Sequence, residues 1–221
     1  MWRSQKQANN PVLQRLLHHA RTSRMRDKYG TASDPYCYPG TAVLRNILNL
    51  NDEDALSEAE RDISIAALNQ IEFELPPYDL CYLCAIHHTL FGGVYEWAGK
   101  IRTIDIAKQQ TRFCNVDRIE PESARLFRDL AAANWFEGLS REKLVSSAAD
   151  FYGEVNMIHP FREGNGRAQR VLFEHIIINA GFQIDWWQVE TPEWVPANIA
   201  AVFGNPGPLT EIFERCIGER L

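Results

Sequence analysis

The chain has 221 residues, 45% of them hydrophobic and 24% charged, with a formal net charge of −6 at pH 7. That size suits one domain burying roughly 70% of its unfolded surface, and the acidic balance argues against a general nucleic-acid binder or a dock for anionic membranes. No apolar run approaches the ~20 residues that span a bilayer, and five cysteines, an odd number with no secretory signal ahead of them, fit reduced thiols in a cytoplasmic protein.

Residues 1–28 differ from the rest. Arg3, Lys6, Arg15, Arg21, Arg24, Arg26 and Lys28 face a single acid, Asp27, which reads as a basic, flexible N-terminal arm ahead of one domain over 29–221. Ser57-Glu58-Ala59-Glu60 has the form of a capping box and predicts a helix through Ile63, Ala66, Ala67, Gln70 and Ile71, stopped by Pro76-Pro77. The next helix is expected over Tyr78 to Phe91. Its Cys81 and Cys84 form a C-x-x-C, with His87 and His88 beyond, but no second pair exists to close a four-ligand zinc set, so both cysteines read as core residues on an apolar stripe. Ile101–Ile106 and Arg112–Val116 have β character around a polar Lys108-Gln109-Gln110 tip, which predicts a hairpin. Glu120-Pro121 makes a good helix opening, because proline at the first helical position loses no hydrogen bond. Leu144, Ala148, Phe151, Val155 and Ile158 mark the core face of a helix ending at His159. The helix from Arg167 is apolar on nearly all sides and should be buried and central. Thr191-Pro192 opens a further helix, and Leu209 to Ile217 forms a last one. The fold class is all-α with one small β-hairpin, without repeats and without a linker to a second domain.

The chemistry concentrates in His159-Pro160-Phe161-Arg162-Glu163-Gly164-Asn165-Gly166-Arg167-Ala168-Gln169-Arg170. Gly164 and Gly166 allow a sharp turn and leave no side chain to hold a phosphate away from main-chain N–H groups. The turn opens a helix, whose first N–H groups and positive dipole end attract anions. Arg167 and Arg170 are three apart, on one helical face, and can grip successive phosphates by forked hydrogen bonds. Glu163 is acidic in an otherwise anion-binding loop, which makes sense if it meets the phosphates through Mg²⁺ or Mn²⁺. His159 can take a proton near neutral pH.

These residues match the Fic motif, His-Pro-Phe-x-(Asp/Glu)-Gly-Asn-Gly-Arg-x-x-Arg, without a departure, so the chain resembles Fic-domain proteins. Leu90-Phe91-Gly-Gly-Val-Tyr95-Glu-Trp97-Ala98-Gly99-Lys-Ile-Arg102 looks like the family segment before its hairpin flap, and Thr111-Arg112-Phe113-Cys114 like the flap itself. Asp34-Pro35-Tyr36 with Tyr38-Pro39-Gly40 resembles the start of short, stand-alone bacterial Fic toxins. The resemblance implies a mainly helical Fic fold with the flap at about 101–116 beside the 159–170 loop. It implies a protein adenylyltransferase that moves AMP from ATP to a Ser, Thr or Tyr hydroxyl. His159 would be the base, and Glu163 would hold the metal. Lys108, Gln109, Gly164, Asn165, Gly166, Arg167 and Arg170 would bind the nucleotide, with Asn165 and the loop N–H groups at the α-phosphate. Thr111, Arg112 and Phe113 would dock the target, with Phe113 pinning it. The flap edge can pair with an extended target segment. Gly166 stands where the kinase-like Doc toxin carries Lys, which favours AMP transfer; transfer of UMP, phosphocholine or phosphate, and a non-catalytic interaction module, stay as alternatives. Many Fic proteins are held off by a glutamate from a (Ser/Thr)-x-x-x-Glu-(Gly/Asn) helix that pairs with the second arginine, here Arg170. Thr210-Glu-Ile-Phe-Glu214-Arg215 comes closest but carries Arg at the last place, so a separate small antitoxin is expected to supply the glutamate. The short toxins' targets, the ATPase subunits of DNA gyrase and topoisomerase IV, are the implied partners.

Overall fold

A computed structural model describes residues 34–108, 111–189 and 191–221. The basic arm and Gln109 lie outside the described residues. Among those described are seven α-helices: α1 (Glu53–Leu68), α2 (Leu80–Phe91), α3 (Val116–Ala132), α4 (Arg141–Ile158), α5 (Asn165–Asn179), α6 (Thr191–Val202) and α7 (Gly207–Cys216). A hairpin of β1 (Ala107–Lys108) and β2 (Thr111–Arg112) precedes α3, and β3 (Phe182–Ile184) pairs antiparallel with β4 (Ile217–Arg220). The mainly helical fold with a small hairpin is the one expected. No helix among the described residues is long and apolar enough to cross a membrane.

The core is organised around α5. Its Ala168, Leu172, Phe173, Ile176 and Ile177 are completely buried, and it packs against α2 on one side and α4 on the other. Each such large side chain contributes about 1.5–3 kcal/mol by leaving water. The α4 stripe of Leu144, Ala148, Phe151, Val155 and Ile158 is buried as its periodicity requires, and α4 also meets α3, α6 and α7. Both helices that flank the 159–164 loop are therefore locked in the core, which fixes the loop at each end.

Several boundaries differ from expectation, each for a local reason. Helix α1 starts at Glu53, not at the Ser57 box, because Asp52 caps it by accepting from the Ala55 N–H at 2.8 Å, with Glu53 and Asp54 on the positive end of the dipole. It ends at Leu68, well before Pro76-Pro77. Asp79 caps α2 in the same way through the Tyr82 N–H, so Tyr78 lies outside the helix. Cys81 is exposed and Cys84 half-buried, so the reading of Cys81 as core is overturned: the buried face of α2 runs through Leu83, Ile86, His87, Leu90 and Phe91, and Cys81 falls off it. The hairpin arms are only two residues each, and Ile101–Ile106 is not strand. Helix α3 begins at Val116 rather than at Glu120, since the Asp105 carboxylate accepts the Val116 N–H at 2.8 Å and serves as a cap from outside the helix; Pro121 is carried inside it. The β3–β4 pair has no counterpart in the sequence reading, and Ile217 belongs to β4 rather than to the last helix.

Candidate active site

Helix α4 delivers His159 at its C-cap in the left-handed region, φ 46° and ψ 63°, where the chain turns out of the helix. The His159 N–H still bonds to the Val155 carbonyl at 3.3 Å. Its Nδ1 lies 3.2 Å from the Asn156 carbonyl. A carbonyl can only accept, so Nδ1 carries the proton and Nε2 keeps its lone pair. Burial, opposed by that bond and reinforced by the charges of Lys108 and Arg102, pushes the imidazole down to about 3. The Phe113 ring lies on one face of it, with centroids 3.8 Å apart and planes 17° apart.

The loop that follows is held by side chains from other elements. Asn165 closes it with two bonds of 2.8 Å, accepting from the Phe161 N–H and donating to the Phe161 carbonyl. The expected α-phosphate contact of Asn165 thus gives way, for its side chain, to clasping the loop. Phe161 stacks on His87 at 3.8 Å. His87 accepts from the Gly99 N–H at 2.9 Å, so its Nε2–H donates to the Glu163 carbonyl at 2.8 Å. A buried imidazole bonded in this way stays neutral, and burial pushes it down to about 3. Gly164 has φ +80°, and a Cβ there would sit 2.4 Å from the Phe91 ring, so no other residue fits without displacing α2. Arg162 turns away from the site into a buried pair with Asp34, at 2.7 and 2.9 Å.

Gly164 caps α5, and the N–H groups of Asn165 and Gly166 in the first turn have no helical carbonyl four residues back. The two arginines behind them are in different states. Arg167 is tied to α1: its guanidinium bonds the Glu60 carboxylate and, at 3.1 Å, the Ser64 hydroxyl, and sits 4.5 Å over the Phe91 ring. The other Glu60 oxygen accepts from the buried Tyr95 hydroxyl. In this structure the Arg167 cation is thus paired with a carboxylate. Among the described residues no carboxylate pairs with Arg170, and its Nε is enclosed without an acceptor. Its NH1 lies 3.8 Å from where a Cβ on Gly166 would be, so this guanidinium borders the glycine turn. Burial lowers its affinity for its proton.

Glu163 is half-buried, and its Oε1 accepts the Gly164 N–H at 3.0 Å. Among the described residues no three His, Cys, Asp or Glu side chains gather into a metal cage. A single hard carboxylate beside an anion-binding turn fits a cation shared with substrate phosphates, the way Mg²⁺ is commonly held.

On the flap, Lys108 pairs with Thr111 and Ala107 with Arg112 in antiparallel register. Arg112 is exposed and bonds Asp105 at 3.2 Å, whereas Thr111 is buried. Phe113 is only 7% exposed and lies against His159.

Arg102, quoted only within a family-like segment, turns out to staple flap to base. Fully buried, it donates from Nε to the His159 carbonyl at 2.9 Å, from NH1 to the Ile104 carbonyl at 2.6 Å and from NH2 to the Cys114 carbonyl, while its N–H bonds the Pro160 carbonyl at 2.9 Å. Glu60 was expected only in a capping box, His87 only beside an unclosed zinc set and Asp34 only in a family-like segment; nothing in the local sequence signals the charged pairs and the imidazole bond they make here.

The model of the Fic/DOC family matches residues 77–177. A relative from Salmonella typhimurium named "Probable protein adenylyltransferase Fic" is 39% identical over 197 residues, covering 88% of this chain and 98% of the relative. The Escherichia coli protein of the same name is 38% identical, with the same coverage of both. Among solved structures, the BepC protein of Bartonella tribocorum, a VirB-translocated effector with bound AMPPNP, superposes with a TM-score of 0.80 at 28% identity, over 84% of this chain and 97% of that one.

Proposed function

The chain belongs to the Fic/DOC family, and we propose that it transfers AMP from ATP to a hydroxyl of a target protein. The observation that carries this reading is the pairing of an imidazole whose Nε2 keeps its lone pair with a helix N-terminus backed by an arginine whose Nε is enclosed without an acceptor. In that arrangement the target oxygen attacks the α-phosphorus, the bond to pyrophosphate breaks, and His159 Nε2 takes the hydroxyl proton. The first-turn N–H groups at Asn165 and Gly166 meet charge on the phosphates. Arg170 would take the terminal phosphate through forked bonds. Glu163 would hold Mg²⁺ or Mn²⁺, which supplies charge neutralisation when bound. In this reading Lys108 and Gln109 would contact the nucleotide, and Thr111, Arg112 and Phe113 the target.

A separate inhibitory partner fits the same geometry. Glu214, the one internal candidate from the sequence, bonds Arg141 through its carboxylate and its carbonyl. It is committed elsewhere, and among the described residues no carboxylate pairs with Arg170. A small antitoxin carrying a glutamate to Arg170 would displace the γ-phosphate and turn the α-phosphorus out of line. The ATPase subunits of DNA gyrase and topoisomerase IV are the targets this reading puts first.

The test is incubation of the purified protein with ATP labelled at the α-phosphate, a bacterial lysate or the isolated topoisomerase subunits, and Mg²⁺. A labelled target band is expected, and none with His159→Ala, which should still bind ATP because the imidazole acts on the nucleophile. Label arriving from the γ-position instead would mean phosphate transfer and overturn the reading.

A further inference from the structure

We propose that Phe113 is a specificity-determining residue that shields His159 from water, so that bound ATP is kept for a protein hydroxyl and is not hydrolysed. This rests on the adenylyl-transfer reading. A base able to deprotonate a serine can deprotonate water, and water attack on the α-phosphorus would form the P–O bond, release pyrophosphate and leave AMP, with the water proton on His159 Nε2. Nothing in the loop chemistry distinguishes the two nucleophiles. Access does.

The geometry of the cover is specific. Phe113 lies flat on the imidazole at 3.8 Å and is itself buried. Its position is set from both sides, because its N–H bonds the Ile106 carbonyl at 3.2 Å and the next N–H, of Cys114, bonds the Met157 carbonyl of α4 at 2.9 Å. Arg102 completes the frame by donating to the Cys114 and His159 carbonyls together. The ring is thus held to the same helix end as the base, on the side of the flap. A target segment pairing with the flap edge is the natural event that would shift β2 and the ring that follows it. The charged groups acting on the imidazole are Lys108 from β1 and Arg102 from the segment before it; both disfavour its cation, as does the burial, while the Asn156 carbonyl of α4 favours it. His159 is half-buried, and the Phe113 ring is the cover on one of its faces; removing that cover lessens the burial, the largest of these effects, and moves the base toward the ordinary range of histidine.

Two readouts test this on the whole protein. In Phe113→Ala the His159 ring, followed by NMR with labelled histidine and assigned by the signal that His159→Ala removes, should titrate well above its wild-type value. Pyrophosphate release from ATP without target should rise on the order of tenfold as the base nears the working pH, while label transferred to target per ATP consumed falls. Phe113→Leu, which keeps an apolar cover, should restore both toward wild type, and it serves as the test should the alanine variant melt early. An unchanged titration, or equal loss of hydrolysis and transfer in both variants, overturns the shield and leaves Phe113 a packing residue. If wild type transfers no AMP to any protein yet the His159 titration moves as stated, the cover stands and the functional reading fails instead.

Discussion

Replacing Arg170 with methionine should make the protein more stable and a poorer ATP binder at once. Among the described residues no carboxylate pairs with the guanidinium, and its Nε is buried with no acceptor. An unsatisfied buried donor costs about 1–3 kcal/mol, and more if charged, whereas a methionine of similar length keeps most of the stem's packing. A gain of about 1–3 kcal/mol corresponds to a melting temperature higher by roughly 2–12 °C for a chain of this size. The lost charge-assisted bonds to the terminal phosphate are worth about 1.5–3 kcal/mol, a loss of roughly 10- to 150-fold in ATP affinity. ADP lacks that phosphate and should bind variant and wild type nearly alike. Thermal melts and calorimetric titration with both nucleotides provide the measurement. A variant that melts lower and weakens ATP and ADP equally would show that Arg170 holds the fold and has no part in reading the γ-phosphate.

Glu163→Gln should lose most labelling activity at any Mg²⁺ concentration, because a neutral amide is a poorer ligand for a hard cation; full activity of wild type in chelator would refute the assignment. Glu214→Gly should leave target labelling unchanged, since its carboxylate serves Arg141; a large gain would place self-inhibition in α7. Stability should fall as pH drops from about 6.5 toward 3. His87 and His159, both pushed down to about 3 and His175 to about 4, are neutral when folded but take protons when unfolded, so their contribution is complete above 6.5 and is lost below it, up to about 3 kcal/mol each for His87 and His159 at pH 4. Glu174, pushed up to about 7 by burial, acts in the opposite direction and offsets part of the loss. Urea midpoints from pH 7 to 4 measure the balance, and a flat profile would mean that the three imidazoles are not held neutral.

What was legible in the chain was what is local. The α4 stripe, the turn after it and the apolar α5 are each written in a dozen or so neighbouring residues, so periodicity and glycine placement located the loop between two core helices. The hidden parts depend on pairs distant in sequence. Asp105 caps a helix that starts at Val116, and Ile217 leaves α7 to pair with Ile184. Neither the Ser57 box nor Pro121 could signal these, because both are acceptable helix starts whose competitors won through better-placed carboxylates. Arg102 was similarly opaque: a lone arginine in a loop ordinarily points to solvent, and here it is buried only because four carbonyls from α4 and the flap converge on it.

The two motif arginines show why spacing alone did not give their roles. Three residues apart on α5, they share a face, and the sequence assigns them the same work. Their electrostatics separate them. Arg167 faces α1, where Glu60 takes its charge and is in turn held by Tyr95, so the cation is neutralised inside the protein. Breaking such a pair by removing one partner leaves a buried charge uncompensated, typically at 3–5 kcal/mol. A phosphate would have to outbid that carboxylate to claim Arg167. Among the described residues Arg170 has no carboxylate to displace. On the proposed reading an anion meets no carboxylate among the described residues at Arg170 and must displace Glu60 at Arg167, so that reading puts the larger share of nucleotide recognition, and of competition from an inhibitory glutamate, on Arg170.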